Sequence, residues 1–144
     1  MDGVFVTTTA QFLPGEPVGN DRMADYIGRL SPAAERLGRL TLRQNRIRTR
    51  HYAMRPDGSS DWTVAKLAAQ AVRGVVDEAE VDARDIGFLA TATTQNDMMV
   101  PGLASGVHAA LGLPPTEVAS FQSVCASSMT SCRKPSNANR VAGR

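Results

Sequence analysis

The stretch Glu117–Thr130, which reads EVASFQSVCASSMT, decides how the chain is expected to fold. Val118, Ala119 and Phe121 suit a buried strand, and the small residues from Cys125 onward allow a helix to start at the thiol. At a helix N-terminus, the partial positive charge and the unpaired backbone N–H groups favour a thiolate and can bind an oxyanion. The stretch therefore predicts a nucleophilic cysteine. The alternative is that Cys125 is a small buried apolar residue, as many free cysteines are.

Three predicted elements upstream of this stretch indicate the fold class. Ile86–Thr94 (IGFLATATT) is an apolar, β-branched run that is typical of a strand buried on both faces. A helix is predicted over Pro101–Leu111, with Gly112 as its stop signal. Another helix is predicted after Asp61 as its N-cap. Its apolar face consists of Val64, Leu67, Ala68, Ala71, Val72, Val75 and Val76. The alternation of strands and helices predicts an α/β fold with a mainly parallel sheet, whose ligands gather beyond the carboxyl ends of the strands.

The first third of the chain carries shorter signals. We expect a strand over Val4–Thr9, a helix over Asn20–Leu30 and an extended segment over Arg48–Tyr52. The pair Ser31-Pro32 predicts the start of a further helix that runs through Leu40, because serine caps a helix and proline suits its first position.

Arginines are concentrated in one window. Eight lie between Arg29 and Arg55, where Glu35 is the one acidic residue. Four of them recur at helical spacing and are expected along one side of the helix: Arg36, Arg39, Arg43 and Arg46. This stripe is either a solvated helix face or a surface that binds something anionic. Nucleic acid is disfavoured, because no aromatic stacking residues are interleaved and no reader motif is present.

Composition excludes several classes of protein. The 144 residues, 42% of them hydrophobic, are ordinary for a globular domain, and no signal peptide or membrane-spanning run is indicated, so a cytoplasmic protein is expected. Cys125 and Cys132 match neither a redox nor a zinc spacing. On one helix they would lie about 10 Å apart, too far for a disulfide. Free thiols are expected, and no motif for a metal, nucleotide or other cofactor is present. A thiol redox protein is a weak hypothesis, because Cys125 has no resolving cysteine at a plausible distance.

Four stretches in order resemble the β-ketoacyl-acyl-carrier-protein synthase III family of thiolase-like condensing enzymes. Val4–Pro14 (VFVTTTAQFLP) is similar to its opening strand and turn, Asn45–Ala53 (NRIRTRHYA) to its "GIRxRH" segment, and Leu89–Gly112 to its "ATTxxxxxPxxA…LG" segment. The fourth is the segment around Cys125, which resembles the family's nucleophile segment. The resemblance covers roughly residues 3 to 130 and implies the N-terminal half of a thiolase-like layered fold.

The resemblance also implies an activity and its residues. Cys125 would take an acyl group as a thioester, and a malonyl-carrier-protein thioester would then decarboxylate and attack it, as in fatty-acid or polyketide-type biosynthesis. The substrates would be thioesters of acyl carrier protein or coenzyme A, and the enzyme would be a homodimer. Val100, beside Met99, would help to close the acyl pocket of the partner subunit, and Arg48 would bind substrate. The resemblance gives His51 no catalytic role, and a lone histidine beside arginines is usually structural. His108, within the helix predicted over Pro101–Leu111, is expected to be a partly buried structural residue.

The sequence departs from the family in two places. The tryptophan and arginine that many members use to hold the CoA adenine fall on Leu40 and Gln44, which favours carrier-protein substrates. After Thr130 the apolar pattern stops, and Pro135 is incompatible with a longer helix, so we expect a half-domain over residues 1–130 and an aberrant basic tail over residues 131–144.

The family's catalytic histidine and asparagine lie in the second half of its fold and match no residue here. This chain alone is therefore expected to be inactive in condensation. The alternative is a non-catalytic interaction protein that uses the Arg29 to Arg55 patch to bind an acidic partner such as acyl carrier protein.

Overall fold

The computed structural model describes residues 5–133, and these divide into two units. The unit Leu13–Trp62, called the small unit below, contains strand β1 (Val18–Gly19), helices α1 (Met23–Ile27) and α2 (Pro32–Gln44), and strand β2 (Thr49–Arg50). The other, called the thiol unit, contains residues 5–12 and 63–133. Its elements are helix α3 (Val64–Ala79), strand β3 (Phe88–Thr93), helix α4 (Leu103–Leu111), strand β4 (Glu117–Gln122) and helix α5 (Ala126–Arg133).

The thiol unit is built on a parallel strand pair. β3 and β4 pair in register from Phe88 opposite Glu117 to Thr93 opposite Gln122, and α4 connects them along the chain. This confirms the predicted strand, helix, strand order and the parallel pairing. Both strands end at the same sheet edge, so the segments that follow Thr93 and Gln122 begin side by side.

The core of the thiol unit lies between this strand pair and helices α3 and α4. Its buried residues are Ala69, Leu89, Leu103, Val107 and Leu113. Small residues let the two helices approach closely: a Cβ placed on Gly106 of α4 would lie 3.1 Å from the Cβ of Ala65 on α3. Of the apolar face predicted for α3, Val64, Ala68 and Val72 pack against this core, together with Ala65 and Ala69, which were not predicted. Lys66, Arg73 and Asp77 are exposed.

The predicted N-cap of α3 was wrong. The helix begins at Val64, and the side chain of Thr63 accepts a hydrogen bond from the N–H of Lys66 at 3.2 Å. Asp61 instead pairs with Arg55. Two potential caps lie two residues apart, and the one next to the first helical turn is used because its oxygen reaches the free N–H groups.

The strand predicted over Val4–Thr9 was also wrong. Val4 lies outside the described residues, and residues 5–9 have no regular structure, with Phe5 and Val6 exposed. β-branched residues favour a strand only where a neighbouring strand and a packed face are available. Among the described strands, β3 pairs with β4 and β1 with β2, so this segment has no partner there.

The small unit combines two confirmed helix signals with one correction. The Ser31 hydroxyl accepts from the N–H of Ala34 at 3.3 Å and Pro32 opens α2, as predicted. The helix expected over Asn20–Leu30 is a 3₁₀ turn over Asn20–Arg22 followed by the short α1. It ends at Gly28, whose φ of 77° a non-glycine residue rarely adopts.

The basic tail is only partly described. Residues 131–133 continue α5, whereas residues 134–144, including Pro135, lie outside the described residues. The boundary between a half-domain and a tail stays a prediction.

The turn before β3 contains Asp82, a carboxyl group whose pKa is lowered by hydrogen bonds. Asp82 accepts hydrogen bonds from the Arg84 side chain at 2.6 to 3.0 Å and from the Arg84 N–H at 2.8 Å. These bonds lower the pKa of Asp82 from 3.8 to about 2. Because the folded-state pKa is the lower one, the stabilisation is complete above 3.8 and is lost as the pH falls through about 2.

A carbon-detected NMR titration of the Asp82 carboxyl should therefore give a midpoint near pH 2, and Arg84→Gln should move that midpoint up towards 3.8. A midpoint near 3.8 in the unsubstituted protein would contradict the bonding pattern.

Candidate active site

Cys125 lies between a strand and a helix, as the sequence predicted. β4 ends at Gln122, a short bend follows, and α5 begins at Ala126, directly after the cysteine. The thiol residue is exposed and is not part of a disulfide. The N–H groups of the first helical turn have no partner within the helix, so an anion that forms at the sulfur or on a bound carbonyl can use them.

Hydroxyl groups fix the turn that carries Cys125. The buried Ser127 donates to the carbonyls of Ser123 at 3.1 Å and Val124 at 3.0 Å, and Ser128 donates to the carbonyl of Cys125 at 2.9 Å. The bend is thus bonded to the first turn of α5, which holds the backbone of Cys125 at the start of the helix.

The loop over residues 94–100 leaves the same sheet edge as the thiol turn. The N–H of Ser123 donates to the carbonyl of Thr93 at 3.2 Å, which extends the strand pairing by one residue towards Cys125. The carboxylate of Asp97 anchors this loop, because it accepts from the N–H groups of Val64 at 2.8 Å and Ala65 at 3.0 Å. Asp97 therefore caps α3 from a distant part of the chain, a role that the sequence analysis missed.

Met99 and Val100, the two loop residues predicted to bind substrate, are exposed to solvent. Met99 is 91% exposed and Val100 is 84% exposed. Neither side chain is part of the core of the thiol unit. They lie on the anchored loop at the Cys125 edge and are free to contact another molecule.

Removal of the Asp97 anchor should have a local and measurable effect. Asp97→Ala eliminates both bonds to the start of α3, and loss of a helix cap costs about 1 to 2 kcal/mol in the free energy of unfolding. We expect a lower midpoint in chemical denaturation together with faster amide exchange at Val64 and Ala65. The matched control is Asp77→Ala, an exposed carboxylate on the same helix, which should change stability by less than about 0.5 kcal/mol. Equal effects of the two variants would contradict the anchoring role.

Arg48, the third predicted substrate contact, belongs to the small unit. It lies on the wall of a cavity within that unit. Leu40 and Gln44, which take the positions of the family's adenine-binding residues, are exposed on α2 and are not among the residues that line this cavity.

Both histidines are held by main-chain carbonyls. His51 Nδ1 lies 3.1 Å from the carbonyl oxygens of Pro14 and Gly15, and His108 Nε2 lies 2.9 Å from that of Pro114. These contacts agree with the structural role that the sequence analysis gave to the two residues.

A serine on β4 has a further structural role that sequence reasoning did not identify. The N–H of Ala104 donates to the Ser120 hydroxyl at 2.9 Å, so this residue caps α4 from the neighbouring strand. Gly102 gives it room, because a Cβ there would lie 2.5 Å from the hydroxyl oxygen.

Residues 5–133 contain neither a candidate metal site nor a candidate membrane-spanning helix. No cluster of three or more His, Cys, Asp or Glu side chains in this range could hold a metal ion. None of the helices described in it combines the length and apolar character needed to cross a membrane.

Comparison with known sequences identifies relatives of one kind. No family model matches the chain. It is 31% identical over 121 residues to the β-ketoacyl-[acyl-carrier-protein] synthase III of Caulobacter vibrioides, a match that covers 83% of this chain and 34% of the relative. It is 38% identical over 80 residues to the enzyme of the same name from Cereibacter sphaeroides, covering 56% of this chain and 23% of the relative.

Comparison with solved structures identifies the fold. AbyA1, a tetronic acid condensing enzyme, matches with a TM-score of 0.72 at 25% identity, over 95% of this chain and 40% of that one. A variant of OleA from Xanthomonas campestris matches with a TM-score of 0.69 at 20% identity, over 89% of this chain and 36% of that one. The predicted thiolase-like α/β fold is confirmed as part of such a fold.

The matched relatives are much longer than the aligned region. The chain spans about a third of their length. The sequence matches, the fold and the strand, cysteine, helix arrangement agree: over most of its length the chain is similar to one part of the β-ketoacyl-[acyl-carrier-protein] synthase III enzymes and has part of a thiolase-like fold.

Proposed function

We propose that Cys125 is the acyl-accepting nucleophile of a β-ketoacyl-carrier-protein synthase III-type acyltransferase. The thiolate attacks the carbonyl carbon of an acyl thioester, a new carbon–sulfur bond forms, and the donor thiol leaves as its thiolate and takes up a proton. The observation that carries this proposal is the exposed thiol at the start of α5, bonded into its turn by Ser127 and Ser128 beside the anchored loop over residues 94–100.

In the whole enzyme a condensation step would follow. A malonyl-carrier-protein thioester would lose CO2, and the electron pair of the broken carbon–carbon bond would attack the acyl carbonyl. The sulfur of Cys125 would then leave as a thiolate, and the product would be a β-ketoacyl thioester. The resemblance assigns the groups that assist this step to a histidine and an asparagine that match no residue of this chain. Residues 1–144 alone are therefore proposed to accept an acyl group but not to condense it.

The donor is proposed to be an acyl-carrier-protein thioester in preference to acyl-CoA. Leu40 offers no indole for an adenine to stack on, and Gln44 offers no charge for a phosphate. Arg48 is proposed to contact the anionic part of the donor.

The exposed side chains of Met99 and Val100 support a role in an acyl pocket that is completed across a homodimer. The proposal includes a cytoplasmic location, in which the free thiols Cys125 and Cys132 would stay reduced.

The experiment that tests the proposal follows a radiolabelled acyl group. The purified chain is incubated with acyl carrier protein that bears the labelled acyl thioester, and transfer is read on a denaturing gel. We expect label on the chain that neutral hydroxylamine removes, as it does for a thioester, and no labelled β-ketoacyl product after addition of malonyl-carrier protein. Absence of label would contradict the acyl-accepting role, and formation of the product would contradict the assignment of condensation to other residues.

A further inference from the structure

A cavity of about 710 Å³ lies within the small unit, a volume in the range of small-molecule sites. Residues from α1, α2 and the segment after α2 line it. Much of the wall is apolar, and its larger apolar side chains are Met23, Leu30, Leu42 and Ile47. α2 has no buried residue, so this apolar wall is open to a ligand.

The rest of the wall carries excess positive charge. Four arginines line the cavity, Arg39, Arg43, Arg46 and Arg48, together with two acids, Asp21 and Glu35. Glu35 pairs with Arg39 at 3.7 Å. In the part of the chain that the structure describes, the other three arginines form no ion pair. Four arginines against two acids leave an excess of two positive charges beside apolar side chains. This excess attracts an anion, and the fork of donors on each guanidinium group suits a carboxylate or phosphate oxygen pair.

Arg46 occupies a backbone position that favours glycine. It follows α2 with a φ of 57°, in the left-handed region. The N–H of Ile47 donates to the Leu42 carbonyl at 2.9 Å and that of Arg46 to the Arg43 carbonyl at 3.1 Å, which is the Schellman pattern of a helix end. The similar "GIRxRH" segment has glycine where this chain has Arg46. A residue other than glycine at such a position is unfavourable for folding, and here it places Arg46 on the cavity wall. Glu80 has the same conformation at the end of α3, with a φ of 53°.

The segment that carries these arginines is held in place. The side-chain amide of Asn20 donates to the carbonyl of Ile47 at 2.8 Å, and its oxygen accepts from Arg50. β2 then pairs with β1 through Arg50 opposite Val18. The cavity wall is therefore formed before a ligand arrives, which lowers the entropic cost of binding.

We propose that this cavity binds a single-chain amphiphile, with its alkyl chain along Leu42 and Ile47 and its carboxylate or phosphate head on Arg43 and Arg46. The inference goes beyond the proposed function, because it uses no part of the thiol unit. Arg48 is the one residue that the two share.

Isothermal titration calorimetry of the full chain tests the proposal with three ligands of equal chain length, kept below their micelle concentrations. Dodecanoate and dodecyl phosphate supply the two anionic heads, and dodecyltrimethylammonium supplies a cationic one. We expect one site per chain with at least one of the two anions binding roughly tenfold or more tightly than the cation. The tighter anion identifies the head group. Equal affinity for all three ligands, or binding of acidic carrier protein without binding of either anion, would overturn the proposal.

Three variants locate the site. Arg46→Gln should weaken binding of the preferred anion roughly tenfold, whereas Arg36→Gln, the same charge change on α2 outside the cavity lining, should leave it within about twofold. Gly38→Leu should also weaken binding roughly tenfold, because Gly38 lines the cavity and a Cβ there meets no atom within 4 Å. Leucine at this helical position does not disfavour folding.

Circular dichroism confirms the fold of each variant. Unchanged affinity in folded Arg46→Gln and Gly38→Leu would refute the site. Cys125→Ala should bind as the parent does, so failure of this proposal and failure of the acyl transfer are separate results.

Discussion

Cys125→Ala is expected to abolish transfer of a labelled acyl group to the chain, while Cys132→Ala retains it. Both cysteines are exposed and free, so accessibility does not distinguish them. Their positions do: Cys125 precedes the first turn of α5, whereas Cys132 lies near the end of the described helix. The helix dipole stabilises an anion at the N-terminal end, and this effect falls off beyond the first turn.

The pair of variants forms a matched control, because each removes one exposed thiol and keeps the other. Thermal unfolding and circular dichroism of the two should be alike, since neither side chain is buried. Equal labelling of the two variants would show that acyl transfer does not depend on the position of Cys125. If Cys132→Ala loses the label while Cys125→Ala keeps it, the nucleophile is Cys132.

Leu103→Ala is expected to be the most destabilising of the substitutions considered. Leu103 is buried in the core of the thiol unit together with Val107, Leu89 and Ala69. Truncation of a buried leucine removes its transfer free energy and leaves a cavity, at a cost of about 3 kcal/mol. That is a large part of the stability of an ordinary domain. We expect the midpoint of urea unfolding, followed by far-ultraviolet circular dichroism, to fall sharply or the variant to be unfolded at room temperature.

The control for this substitution is Met129→Ala, in the same unit. Met129 is an exposed apolar side chain on α5, so its truncation removes little packing. Its effect on the free energy of unfolding should stay within about 0.5 kcal/mol. Similar destabilisation by the two variants would contradict the position of the core between α3, α4 and the strand pair.

Local signals in the sequence predicted the part of the fold that carries the thiol. Three signals each depend on a few neighbouring residues. They are the apolar run of β3, the Gly112 stop of α4 and the change from β4 to small residues at Cys125. Such signals need no knowledge of tertiary structure, because a buried strand and a helix cap are recognised by their own residues.

Features that depend on distant contacts were not predictable in this way. Asp97 caps α3 across 33 residues, and the β1 and β2 pair joins segments about 30 residues apart. For Val4–Thr9 the sequence predicted an element that the structure lacks. The stretch has a high strand propensity, but it pairs with none of the described strands. The sequence placed Arg46 in an arginine stripe, but its left-handed backbone conformation after the end of α2 was not predicted.

Intact-mass spectrometry of the unsubstituted chain tests the central claim most directly. The chain is incubated with an acyl-carrier-protein thioester, and a parallel sample is treated with iodoacetamide and digested to compare the two cysteines. The account predicts one acyl adduct per chain, located on Cys125, and faster alkylation of Cys125 than of Cys132. Absence of an acyl adduct, with both cysteines alkylated at the rate of a free thiol, would contradict it and show that the family resemblance describes the ancestry of this chain and not its chemistry.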